Sequence, residues 1–498
     1  MYALQRVLAR GRLWGALVTL AICLLAGAAL GALVALLTPV YAVALLIGLG
    51  GGLLMLRSRQ FTLFVIVAIL YLLPFGSLPL NIGFSPTFLN LALGVYFLVW
   101  MVRVATGRQE SWASSPLSAV VLVFLLLTLM TFVSGLSHAQ LTATALRKFA
   151  EIPLGIALFF AVLNNVRSQR DLTMVTRWLI LGGTAAAVLG IVLYVIPQPL
   201  ATRLLSALRV FRYPSGPGVL RFVEDNPQLP MRAIATSVDP NVLGAVLILT
   251  IGLGAPHLFA AEPVFRRRWL VLCLGLMGIC LLLTYSRGSM AGLGAALLFL
   301  GLFPRYRKAL AVMLLAGALL LLLPQTQSYV AHFAEGLAGQ DRATQMRFGE
   351  YKDALILIGR YPWLGVGFVD TPDIDLYLGV SNLYLLIAEE MGLIGLGVFL
   401  VCMAIFFLML FDARQRSRAS PQLEPWLLGP AVAVAAGLAG ALFDHTLFSF
   451  SHALTLFWLI IGLGAVAARG AVAEAAGSLD RARSLGPGVH GGPGTSPV

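Results

Sequence analysis

The residues that first ask for a chemical role are arginines. The segment 197–240 holds Arg203, Arg209, Arg212, Arg221 and Arg232, and a short loop further on holds Arg287. A planar guanidinium presents fixed donors to phosphate oxygens and keeps its charge when partly desolvated, so this grouping points to an anionic, phosphate-bearing ligand. Snorkelling to lipid phosphates accounts for a share of these residues. The segment 324–381 has the opposite balance: Arg342, Arg347, Lys352 and Arg360 stand against Glu335, Asp341, Glu350, Asp353, Asp370, Asp373 and Asp375. Carboxylates in such a segment suit proton transfer or hydroxyl binding. The DxxDxD spacing from Asp370 can also hold a divalent cation, although no further ligands accompany it.

The elements that must position these groups are apolar. Of the 498 residues 59% are hydrophobic and 11% charged, against roughly 25% charged in a soluble domain. A soluble globular protein is thereby excluded. Apolar runs of the length needed to cross a membrane recur along the chain, beginning with 14–37 and 40–56 and ending with 447–467. They predict an all-α polytopic membrane protein of about 14 (12–14) transmembrane helices. The formal net charge of +13 would suggest nucleic acid in a soluble protein. Here the excess of Lys and Arg falls in alternate connecting segments, as the positive-inside rule requires, so it reads as topology and no nucleic-acid partner is expected. Both termini are then cytoplasmic, and the two long loops, about 197–240 and 324–381, face outward. That bias should have removed an outward arginine from a loop as short as the one carrying Arg287.

Within the second loop, Asp341 to Ile358 predicts an amphipathic helix with Arg347, Tyr351, Ala354 and Ile358 on one face, ended by Pro362. The segment PWLGVGF that follows is expected at the membrane interface. Few ionisable residues fall inside spans: Glu151, Arg177, Glu389, Glu390 and, at a span end, Asp444. Arg177 reads as snorkelling to headgroups, and Glu389 or Glu390 as part of an interhelical hydrogen-bond network. Cys23, Cys273, Cys280 and Cys402 lie in apolar runs without metal-site spacing and read as small core residues. Runs such as GLGGGLL and AGAALGALVALL read as faces for close helix packing. The domain organisation is one membrane domain over 1–468, with a motif-bearing core at 232–400, and a disordered cytoplasmic tail at 469–498, rich in Gly, Ala, Ser and Pro.

Four motifs lie at the outward ends of spans or in outward loops: MRAIATSVDPN (Met231–Asn241), TYSRGSMAG (Thr284–Gly292), Arg347 through YPWLGVGF to Phe368, and SNLYLLIAEEMGLIGL (Ser381–Leu396). In this order they resemble the O-antigen ligase and O-antigen polymerase superfamily, bacterial membrane enzymes that handle undecaprenyl-pyrophosphate-linked glycans. The resemblance implies a glycosyltransferase-C-like fold in the inner membrane. It also implies transfer of a glycan from the lipid pyrophosphate donor to a glycan or lipid acceptor, with no cofactor. Arg232 and Arg287 match the pyrophosphate-binding arginines, and Arg347 matches the arginine that opens the family's loop helix. Ser381-Asn382 stands where ligases carry His-Asn, and serine cannot serve as a base near neutral pH. Acceptor-side substitutes are Glu350 and Asp353, with Asp370, Asp373, Asp375, His332 and His445 beside Asp444 as further options. The implied function is polymerisation or ligation of surface polysaccharide such as O-antigen or exopolysaccharide. A transporter or flippase of lipid-linked saccharide, and a non-catalytic envelope-assembly scaffold, are the alternatives.

Overall fold

The computed structural model describes residues 50–78, 85–107, 112–137, 140–322, 342–368, 380–417 and 421–484, with isolated positions before 50. The chain divides into two compact units, Met1–Thr62 and Leu63–Val498, where the sequence reading draws a single domain over 1–468. Among the described residues, the helices are α1 (Arg59–Leu72), α2 (Phe88–Ala105), α3 (Ser118–Gly135), α4 (Ala143–Asn165), α5 (Gln169–Val195) and α6 (Gln198–Ala207). They continue with α7 (Pro240–Gly254), α8 (Arg267–Leu283), α9 (Arg287–Gly301), α10 (Arg307–Leu321) and α11 (Arg342–Arg360). The last are α12 (Leu383–Arg416), α13 (Glu424–Gly440), the single turn α14 (Thr446–Ser449) and α15 (Ser451–Ser484). A two-residue antiparallel ladder joins β1 (Arg221–Phe222) to β2 (Met231–Arg232).

Each apolar run from 61–77 onward is met by one of these helices, while 14–37 and most of 40–56 lie outside the described residues. Length separates the helices. Six are long and apolar enough to cross a membrane: α2, α3, α5, α7 with its 3-10 extension to Phe259, α12, and Ser451–Ala476 of α15. The apolar helices α1 and α9 have 14 and 15 residues, short of the about 20 that a 30 Å hydrocarbon core requires. The expectation of about 14 spans is therefore met in type, with six spans supported by length.

Helix α7 lies at the centre: every residue of it except Asn241 is buried, as expected of a helix apolar all round. It packs against α13 and α9 at very short range. A Cβ on Gly252 would meet Ala433 Cα at 2.6 Å, one on Gly429 would meet the Leu253 carbonyl at 2.7 Å, and one on Gly292 the Ala436 carbonyl at 2.6 Å. Small residues thus permit backbone-to-backbone packing. The close approach falls at these glycines, and nothing lies within 4 Å of the Cβ position at Gly50, Gly51 or Gly52 in GLGGGLL. Cys273, Cys280 and Cys402 are free and buried. The tail departs from expectation, because α15 runs on to Ser484 through a stretch rich in Ala with Glu and Arg, strong helix formers; residues 485–498 lie outside the described residues.

Helix α12 is broken at Gly392, whose φ of 69° and ψ of −179° no helix contains. The break leaves the carbonyls of residues 389 and 390 without their helical donors. The segment PWLGVGF supplies replacements: Val366 N–H donates to the Glu389 carbonyl at 2.8 Å and Gly367 N–H to the Glu390 carbonyl at 3.0 Å. In return Leu393 N–H donates to the Pro362 carbonyl at 2.7 Å. On its other side Gly367 touches the α3 backbone at Gly135, where a Cβ would come within 2.6 Å of Cα. This segment is therefore held between α3 and the α12 break by main-chain bonds. Unsatisfied backbone within an apolar bundle is costly enough to dictate that placement.

Candidate active site

Arg232 sits on β2, which lies across the C-terminal end of α8. Ala233 N–H donates to the Leu283 carbonyl at 2.8 Å, and Arg232 Nε donates to the Thr284 carbonyl at 2.7 Å. A helix end leaves carbonyls without partners and carries a partial negative charge, so a cation there satisfies both. The other arm of the guanidinium, Nη2, donates to Asn241 Oδ1 at 2.8 Å. Asn241 is in the first turn of α7, held there by the N-cap Asp239, whose Oδ1 accepts from the Asn241 and Val242 N–H groups. Burial lowers Arg232 to about 10, and Arg287 acts in the same direction, while Asp239, Asp225 and Asp444 oppose it. The residue therefore stays cationic at neutral pH.

Arg287 is the first residue of α9, after the N-cap Ser286. A cation at a helix N-terminus opposes the local dipole, whereas an anion is favoured there. That placement makes sense if an anion lies between the two arginines. The connecting backbone is strained. All six non-glycine residues with positive φ among the described residues fall at Arg212, Glu224, Asp225, Ala235, Val238 and Tyr285, and three of these flank Arg232 or Arg287. Val238, at φ 60°, is β-branched and a true outlier. Strain of this kind clusters at ligand sites, where surrounding structure enforces it. The ladder adds a third cation, since Arg221 is directly opposite Arg232 in register and its Nε reaches the Val238 carbonyl at 3.4 Å. Like charges opposite one another are unfavourable without a counter-anion. The sequence alone singled out Arg232 over Arg221, since the pairing of positions eleven apart is a property of the hairpin.

The acceptor-side residues gather at the start of α12. Asn382 is its N-cap, with Oδ1 accepting from the Tyr384 and Leu385 N–H groups at 2.9 and 3.0 Å. Its Nδ2 donates to the Leu442 carbonyl at 2.9 Å, fastening the end of α13. Ser381 N–H donates to Glu350 Oε2 at 2.9 Å, and Tyr351 OH donates to the Ser381 carbonyl at 3.2 Å. Glu350 and Tyr351 therefore dock the loop helix α11 on the Ser381-Asn382 turn. Burial raises the Tyr351 hydroxyl; Arg347 opposes that shift, and Glu350 and Asp444 add to it. Asp444 is thus the residue whose charge reaches both groups, Arg232 on one side and Tyr351 on the other. Asp353, one turn beyond Glu350, is in electrostatic reach of Glu389 instead. The amphipathic face of α11 agrees in part with expectation: Ala354 is buried, while Leu357 is buried next to an Ile358 that is only half-buried.

Beside this site is a cavity of about 840 Å³, within the range of small-molecule pockets. Phe149, Phe368 and Phe448 form part of its wall, together with Val238, His445, Arg212, Arg147, Glu151, Glu389 and Glu390. His445 lines this cavity, and its neighbour Asp444 lines a smaller one with Asn241 and Ser289. Glu151 is matched by Asn90 Nδ2 at 3.1 Å and Arg147 at 3.8 Å. Glu389 and Glu390 are different: no side-chain hydrogen bond joins either to another helix among the described residues, which corrects the network reading made from the sequence. Glu389 is 5% exposed, and Glu390 Oε2 is buried without a partner. Arg177 donates through Nε to the Val264 carbonyl at 2.7 Å. Asp370, Asp373, Asp375 and His332 lie outside the described residues. Among the described residues no cluster of three His, Cys, Asp or Glu is disposed to hold a metal.

A search of curated proteins finds no match to this chain. Residues 272–400, which contain Arg287, the loop helix, the Ser381-Asn382 turn and the α12 break, match the family model described as O-antigen ligase. Over that segment this helical membrane protein is similar to an O-antigen ligase domain.

Proposed function

We propose that the protein transfers a glycan from a lipid-linked pyrophosphate donor to an acceptor hydroxyl at the outer face of a bacterial inner membrane, as a polymerase or ligase of surface polysaccharide. The observation that carries this reading is the convergence of Arg232 and Arg287, from different motifs, on strained backbone between α8, α7 and α9. The acceptor oxygen bonds to the anomeric carbon as the carbon–oxygen bond to the diphosphate breaks. Charge then grows on the leaving lipid pyrophosphate, where two fixed cations stabilise the transition state more than the bound donor. Arg347, on the docked loop helix near Tyr351 and Asp444, completes the basic side of the site. The remaining oxygen of Glu350, the neighbouring Asp353 and His445 are the acceptor-side groups inherited from the sequence reading.

The test is an elongation or transfer assay with a lipid-pyrophosphate-linked glycan in detergent or proteoliposomes. Arg232→Ala and Arg287→Ala should each lower turnover on the order of a hundredfold, with expression and folding unchanged. Full activity in both variants overturns the assignment. In cells lacking the protein, single repeat units indicate lost polymerisation, and complete polymer without its acceptor indicates lost ligation.

A further inference from the structure

We infer that the 840 Å³ cavity is the binding site for the acceptor saccharide and that Glu390 takes the proton from its attacking hydroxyl, a proposal that rests on the glycosyl-transfer reading above.

The cavity wall combines aromatic rings with carboxylates, the pairing that suits a sugar: the rings meet its C–H faces, and the carboxylates accept from its hydroxyls. Two buried carboxylates on one turn of an apolar helix are otherwise hard to account for, since a charged group removed from water requires a partner. Glu389 is 5% exposed and its carboxylate has no hydrogen-bond or ion-pair partner among the described residues, while Glu390 Oε2 is buried and unpartnered. Both line the cavity. A substrate hydroxyl is the missing donor. Their position is also firmly held, because the backbone carbonyls of both residues are tied by Val366 and Gly367 across the break at Gly392.

Nearby alternatives each have one polar atom engaged. Glu350 gives an oxygen to the Ser381 N–H group, Asp444 Oδ1 accepts from Thr446, and His445 Nδ1 is paired with Ser449 Oγ at 2.7 Å. Asp444, on the smaller cavity, and His445, on the larger one, are neighbours in the chain. The proposed reaction requires a donor whose diphosphate rests on Arg232 and Arg287 to present its first sugar towards the carboxylates. In the step itself the acceptor O–H bond breaks as the new glycosidic bond forms. The proton passes to the Glu390 carboxylate and then to water, and the bonding pair of the anomeric C–O bond leaves with the lipid pyrophosphate. Glu389 binds a second hydroxyl of the same sugar. This supplies the base that Ser381 cannot be.

The experiment compares Glu390→Gln, Glu390→Ala, Glu389→Gln and His445→Gln in the full-length protein, with Arg287→Ala as a donor-side control. Glu390→Gln should lose about a hundredfold in kcat, with donor binding retained. Glu389→Gln should chiefly raise the KM for acceptor. Sodium azide is already an anion and needs no base. It should therefore restore donor consumption in Glu390→Ala, with glycosyl azide as product, and should not rescue Arg287→Ala. A purely structural role for Glu390 would give no azide product. Near-normal turnover in Glu390→Gln, absence of rescue in a folded Glu390→Ala, or azide rescue of a base-deficient His445 variant instead, each overturns the proposal. Absence of any glycosyl transfer by the unmodified protein overturns the underlying function, and unchanged activity in Arg287→Ala overturns its donor side alone.

Discussion

The break in α12 offers the sharpest physical test, through Gly392→Ala. At φ 69° and ψ −179° the residue occupies a region that is essentially glycine-only, and forcing an L side chain there costs of order 1–3 kcal/mol. Its Cβ would also collide with the Trp363 carbonyl, which cannot retreat without drawing PWLGVGF away from α12. Moving that segment breaks the bonds from Val366, Gly367 and Leu393, at 2.8, 3.0 and 2.7 Å, each with a net contribution of about 0.5–1.5 kcal/mol. The combined loss is about 3–7 kcal/mol if all three bonds go. Gly397→Ala is the control. It lies in the regular part of the same helix with nothing within 4 Å of its Cβ position, so it should gain about 0.5–1 kcal/mol of helix propensity. Thermal melting in detergent should show Gly392→Ala several degrees below the unmodified protein, and Gly397→Ala at or above it. Glycan transfer should be lost in the first variant because Glu389 and Glu390 no longer share a fixed backbone. Equal melting midpoints with full activity in both variants would refute the account of the break.

Arg232→Lys keeps the charge but cannot reach Thr284 and Asn241 together, so donor transfer should fall roughly tenfold to a hundredfold, worth about 1.4–2.7 kcal/mol; activity equal to the unmodified protein would show that the fork geometry is irrelevant. Because burial lowers Arg232 to about 10, the fraction carrying charge drops as pH rises through that value. Binding of a pyrophosphate-bearing donor analogue should weaken above pH 10 while the helical circular dichroism persists, and binding unchanged to pH 11 would contradict the assignment. Glu350→Ala removes the acceptor of the Ser381 N–H group, a charge-assisted bond of about 1.5–3 kcal/mol, and should expose α11 to limited proteolysis. Glu350→Gln retains an acceptor oxygen and should be cut more slowly; equal rates for the two would argue against that contact.

Much of the scaffold is legible in the chain because it depends on local pattern. Apolar runs of sufficient length can be nothing but helices in an apolar environment, and the loop helix follows from the spacing of Arg347, Tyr351, Ala354 and Ile358. Its end at Arg360 follows from Pro362. Arg232 and Arg287 also stand out in the sequence, since in the orientation expected from the charge bias they fall on the side that this bias depletes of arginine. The tail was misjudged beyond Gly470 because composition alone does not register a helix extended from a long, well-packed span. The partner of PWLGVGF was not legible for a related reason: its glycines signal close backbone contact but do not name the neighbour.

The sequence by itself determined the class of protein, the alternation of its charges along the chain, the motifs with their arginines and the absence of a histidine before Asn382. These rest on residue type and on neighbours within a few positions. Only the tertiary structure decided which groups share a site. It set Arg221 opposite Arg232, fastened Glu350 to Ser381, and made Asp444 common to both halves of the site. It also turned Glu389 and Glu390, read as ordinary polar residues of a span, into unpartnered carboxylates on a cavity. The physical reason is that hydrogen-bond satisfaction is a property of the packed bundle: whether a buried carboxylate has a donor depends on residues far away in the chain, such as Phe149 and His445 around the same cavity.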